Sequence, residues 1–129
     1  MTMRPHLNDE RPLDAPVQVF DLTQIAKETW SEASGTTGHN AITLHKGAHL
    51  RVVLMTMRAN SQLEDHTTSA PITLQVLSGH VRFVTLDTGV MLDLGPQMMA
   101  TLQGGISHRV EAVDDAVCLL TLGDPVTRG

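Results

Sequence analysis

Residues 63–79 read LEDHTTSAPITLQVLSG. The run from Ile72 to Leu77 is dense in strand-forming side chains, and Ser78–Gly79 after it reads as a turn. One histidine, His66, stands ahead of that strand. The same grammar repeats on both sides of the stretch. Upstream are AITLHK (41–46) and LRVVLMTMR (50–58); downstream are HVRFVTL (80–86), VMLDL (90–94), MMATL (98–102), SHRVEAV (107–113) and AVCLLTL (116–122). LEDH (63–66) completes the set. Between them lie KGA, ANSQ, SG, DTG, GPQ, QGG and VDD, each rich in the residues that turns require. Short strands at this regular spacing predict an all-β protein, an antiparallel sandwich or barrel.

At 129 residues the chain fits one domain with a core large enough to need neither disulfides nor a structural zinc. Nine Lys and Arg stand against 14 Asp and Glu, with no basic stripe, which argues against a nucleic-acid partner. The single cysteine, Cys118, sits in an apolar strand and reads as a small buried hydrophobe. The N-terminus lacks an apolar leader region, and no segment has the eighteen or so apolar residues that would cross a bilayer, so a cytoplasmic location is expected. Residues 1–16, proline-containing and charged without periodicity, are expected to form a flexible N-terminal arm. In residues 17–40, VQVFDL alternates like a strand, Thr23 is expected to cap one or two helical turns through QIAKETW, and a polar loop leads to the barrel domain of residues 41–129.

Two segments about thirty residues apart carry a resemblance to the cupins, small jelly-roll barrels (double-stranded β-helices) with motifs written G-x5-H-x-H-x3,4-E-x6-G and G-x5-P-x-G-x2-H-x3-N. With Gly79 as the closing glycine of the first, His66 falls on its first histidine, Thr68 on its second and Ile72 on its glutamate. In QGGISH, Gly105 and His108 match the glycine and histidine of the second. Gln103 stands for the proline, Ala112 for the asparagine and Gln97 for the opening glycine. The succession LQVLSGHVRF, LDLGP, LQGGISHRVEA and LLTL resembles the short stand-alone members, over about residues 41–122. The resemblance implies an RmlC-like jelly roll that pairs as a homodimer, with VQVFDL available to extend a neighbour's sheet. It also implies a site facing into the barrel, where the family binds iron, manganese, nickel, copper or zinc through three histidines and a carboxylate.

Only His66 and His108 remain of that ligand set. Strict alternation would put Glu64, His66 and Thr68 on one face, making Glu64 a candidate third ligand. His49, read as lying on one strand face with Arg51, Val53, Met55 and Met57, is another. Without a metal, His66 and His108 would instead hydrogen-bond each other, water or a ligand carboxylate. Met55 and Met57 either soften a ligand cavity or fill core gaps. Gln75, polar within an apolar strand, either finds a partner between the sheets or points at a ligand. His6, His39, His45 and His80 are assigned no chemistry.

Two functions follow from these residues. In one, the barrel holds a small apolar or carboxylate-bearing molecule near His66 and His108, with Gln75, Thr68, Met55 and Met57 around it. In the other, a divalent metal on His66 and His108 supports an oxygenase- or isomerase-type reaction. The metal-free epimerase chemistry of the family needs a tyrosine acid, and the chain has no tyrosine. No P-loop, dinucleotide fingerprint, nucleophile elbow or Cys-x-x-Cys offers a rival chemistry.

Overall fold

The computed structural model describes residues 12–32 and 38–124, the side chains of Glu32, Glu64, Asp65 and His66 excepted. These residues form one helix, α1 (Leu22–Glu32), and nine strands: β1 (His39–Lys46), β2 (Arg51–Met57), β3 (Gln62–His66), β4 (Ile72–Ser78), β5 (Val81–Thr85), β6 (Met91–Leu94), β7 (Met99–Leu102), β8 (His108–Ala112) and β9 (Ala116–Leu122). All pairings are antiparallel. A five-stranded sheet has the order β1-β2-β9-β4-β7 and a four-stranded sheet the order β3-β8-β5-β6. From β2 to β5, and again from β6 to β9, successive strands alternate between the sheets, the winding of a jelly roll. The all-β reading holds strand by strand.

Alternation explains which residues fill the interior. On β4, Ile72, Leu74 and Val76 are buried while Thr73 and Gln75 are half-buried, and on β8 the buried positions are His108, Val110 and Ala112. These meet Met55, Met57, Phe83 and Cys118 in one core between the sheets. The unbroken apolar run of β2 has a different cause, because that strand is covered on both faces. Val53, Met55 and Met57 face the shared core, whereas Leu54 joins Ile25, Leu44 and Val117 in a second cluster beneath α1.

The N-terminal region departs from expectation. VQVFDL forms no strand: residues 17–21 precede the helix, with Val17 82% and Val19 86% exposed. The helix runs eleven residues, about three turns, and its cap is Asp21, whose Oδ1 accepts the Gln24 N–H at 3.1 Å, in place of Thr23. Its length comes from packing, since Ile25 and Thr29 are fully buried and Leu22, Ala26 and Trp30 lean on the same cluster. Ahead of it, the chain lies beside β1: Lys46 N–H donates to the Leu13 carbonyl, and Gln18 Oε1 meets His45 Nδ1 at 2.7 Å. Residues 1–11 of the expected arm lie outside the described residues. No helix among the described residues is long and apolar enough to cross a membrane.

Gly79 closes the β4–β5 turn with φ +85°, and a β-carbon there would sit 2.1 Å from the Asp115 carbonyl oxygen. Gly89 has a similar φ of +68°, yet a β-carbon there would meet nothing within 4 Å. Gly89→Ala is therefore expected to cost about 1 kcal/mol, the conformational term alone, and Gly79→Ala about 2 kcal/mol or more, because backbone must also move. Urea unfolding of the two variants measures the difference.

Burial of Cys118 pushes its thiol from an ordinary value of 9.0 up to about 12. Above pH 9 the unfolded chain releases this proton while the folded chain keeps it, so the thiol's contribution to stability is complete below pH 9 and declines as pH rises toward 12. Stability should fall less steeply over that window in Cys118→Ala, and a thiol reagent should label the wild type only as it unfolds.

Candidate functional site

β8 lies between β3 and β5, so His108 has a neighbour on each side: Thr85 on β5 and His66 on β3 stand opposite it in register. A bulge produces the His66 match. Leu63 pairs with Val110 and His66 with His108, so three steps on β3 cover two on β8. The side chains of His66 and Glu64 lie outside the described residues, and the strict alternation that joined Glu64, His66 and Thr68 is broken by the bulge and by the end of β3 at His66.

His108 is 2% exposed. Its ring stacks on Phe83, centroids 5.4 Å apart and planes 19° from parallel. Nδ1 donates to the Ile106 carbonyl at 3.0 Å, which sets the tautomer and makes Nε2 the lone-pair nitrogen of the neutral ring. Thr85 is also buried, its hydroxyl 2.5 Å from that of Thr88. Sequence reading missed Phe83, Thr85 and Ile106 as neighbours of His108. The alternation of Val81, Phe83 and Thr85 in HVRFVTL was the signal for the first two.

The loops bordering β3 and β8 are tied together. The Thr67 and Ser107 hydroxyls lie 2.5 Å apart, and Gly105 N–H donates to the Thr68 carbonyl at 2.8 Å. A β-carbon on Gly104 would approach the Ser69 carbonyl oxygen to 2.1 Å, while Gly105 has φ +86°. The paired glycines of QGG thus serve two needs, close approach and a left-handed backbone.

Several expected site residues are placed elsewhere. Thr68 is in the loop after β3, its hydroxyl accepting the Ala70 N–H at 3.2 Å. Met55 and Met57, 5% and 0% exposed, are core filling. Gln75 alternates with the core residues Leu74 and Val76, so it occupies the outer face of β4, beside Met99 and Leu119, and lies neither between the sheets nor in the barrel. His49 is not on β2: it belongs to the β1–β2 turn, exposed, with Nδ1 2.6 Å from Asp124 Oδ2.

These placements bear directly on a metal. Ile72, the residue that the resemblance sets at the family's glutamate, is buried and apolar, and Thr68, set at its second histidine, has its hydroxyl engaged in a turn. Among the described residues no group of three or more His, Cys, Asp or Glu could hold an ion. Of the expected ligands near β8 only His108 has a described side chain, and one nitrogen by itself does not make a three- or four-ligand centre.

Beside Ile106 an open cleft of about 670 Å³ lies at the ends of β4, β7 and β9. Ile72, Leu102 and Ile106 give it apolar surface; Thr73, Thr101 and Thr121, in register across the three strands, give it a row of hydroxyls. The four-stranded sheet carries a cross-strand row away from this cleft, in which Arg82 lies between Asp93 and Glu111 at 3.4 and 3.9 Å.

No protein-family model matches the chain, and no curated protein matches it. Solved structures do. A cupin superfamily protein from Desulfitobacterium hafniense aligns with TM-score 0.67 and 11% identity over 86% of this chain and 94% of that one. An RmlC-like cupin from Shewanella frigidimarina aligns at 0.63 and 14%, over 72% and 81%. The salicylate 1,2-dioxygenase of Pseudoaminobacter salicylatoxidans aligns at 0.70 and 17%, over 97% of this chain and 39% of that enzyme. The nine strands, their two-sheet order and these likenesses agree: the chain is a small protein of the cupin fold.

Proposed function

We propose that this chain binds a small molecule, apolar or carboxylate-bearing, at the end of the barrel where β3 and β8 set His66 opposite His108. The observation that carries this reading is His108 itself, an imidazole buried in apolar surroundings, stacked on Phe83 and locked in one tautomer by Ile106. An imidazole fixed at this end of the barrel is a group that can bind a hydroxyl or a carboxyl group of a small molecule. The dioxygenase shares the fold, but shared fold carries no chemistry across without the residues that perform it.

Elemental analysis of untagged protein tests the reading directly. It expects well below one equivalent of iron, manganese, nickel, copper or zinc per chain; a stoichiometric metal would replace it with the metal-enzyme reading. For a hit from a panel of small carboxylic acids, a hundredfold excess over Kd should stabilise the protein by about 2.7 kcal/mol. In His108→Leu, affinity should fall about tenfold, or 1.4 kcal/mol.

We further propose a homodimer formed through the segment ahead of α1. Val17 and Val19 alternate outward, nearly fully exposed, in a strand-forming sequence that lies beside the edge strand β1. Light scattering should give twice the chain mass at micromolar concentration. Val17→Asp with Val19→Asp should give a folded monomer.

A further inference from the structure

A second cleft, of about 380 Å³, lies outside the barrel, along the flank of α1. It exists because the helix is narrower than the sheet that it covers. Ile25 seats α1 over Leu44 and Leu54 of β1 and β2, and the sheet continues past it through β9 and β4. Leu22, Ala26 and Trp30, spaced i, i+4 and i+8, therefore form one wall, with Thr23 and Lys27 one position round the helix. Leu77 and Val117 form the floor.

The far wall is Gln97, and its position is fixed by backbone geometry. Residues 95–98 form a turn closed by Met98 N–H donating to the Gly95 carbonyl, with Pro96 second and Gln97 third at φ +67°. Glycine or asparagine is the usual occupant of that third position. Here Gln97 is retained: its N–H donates to Val76 at 2.7 Å and its Nε2 to the Leu77 carbonyl at 3.3 Å. A strained non-glycine residue bordering a cleft is a feature associated with ligand sites.

Among the described residues Lys27 is the one charged residue lining the cleft. It forms no ion pair among the described residues. A second cation stands behind Trp30, the Arg58 guanidinium lying 4.9 Å from the ring centroid. The walls are thus apolar, the polar atoms at the rim are hydroxyl and amide, and among the described residues the charge is positive, with no carboxylate lining the cleft. We propose that this cleft is a second binding site, distinct from the barrel, for an amphiphilic carboxylate. The apolar tail lies on Trp30, Ala26 and Leu77, and the carboxylate meets Lys27.

Trp30 is the only tryptophan and the chain has no tyrosine, so its fluorescence reports on this cleft alone. The experiment titrates the full chain with octanoate and, separately, with octanol. Octanoate is expected to shift Trp30 emission saturably, with octanol about tenfold weaker. In Lys27→Gln, an exposed-site change that should leave the circular dichroism unchanged, octanoate should bind only as well as octanol. In Ala26→Phe, which fills the cleft, the response should vanish. Equal binding of the two probes by the wild type, or octanoate affinity undiminished in folded Lys27→Gln, overturns the proposal. So does an octanoate response that survives in folded Ala26→Phe.

Discussion

The two sheets share one apolar interior, and each strand reaches it only through every second residue. That period-two constraint governs the rest of the molecule. Consecutive segments cross from sheet to sheet, so the core contacts join residues far apart in sequence: Met55, Val76 and Cys118 meet across three strands of one sheet, with Phe83 and Val110 above them. A shift of one residue in any of these strands would exchange a core side chain for a solvated one. The bulges in β1, β3 and β4 are where the chain absorbs an extra residue without losing phase.

The same constraint explains what was legible from the sequence. Alternation and turn residues are local signals, so every strand from AITLHK to AVCLLTL was readable; the inward placement of His108 came only through the resemblance of QGGISH to the second motif. Faces that depend on partners were not readable. Gln75 looked like a core anomaly because its strand is apolar, yet its even-numbered neighbours take the core and leave it outside. His49 looked like part of β2, but the Gly47 N–H donates to the Leu50 carbonyl and closes a turn just before that strand. VQVFDL alternates as a strand would, yet residues 17–21 run beside the edge strand β1 without forming a strand, and Leu22 already belongs to α1. The length of α1 was understated for a related reason: Ile, Thr and Trp are modest helix formers, and the helix is held by the sheet beneath it.

The helix layer gives the five-stranded sheet two different sides. Its inner face belongs wholly to the barrel, while its outer face is divided between the part under α1 and the part where Gln75, Thr73 and Thr101 stand. The two clefts lie at different margins of this sheet, one at the strand ends beside Ile106 and the other beneath the flank of α1. They share no lining residue, so changes in one leave the walls of the other in place.

The bulge in β3 has a consequence for aligning this chain with its relatives. Between Leu63 and His66 the strand spends one residue more than β8 does. A relative lacking one of those two intervening residues would form a regular ladder and still set its histidine opposite the counterpart of His108. A one-residue gap at this point is therefore structurally silent. An alignment that closes the gap by sliding the histidine would assign the wrong residue to the register.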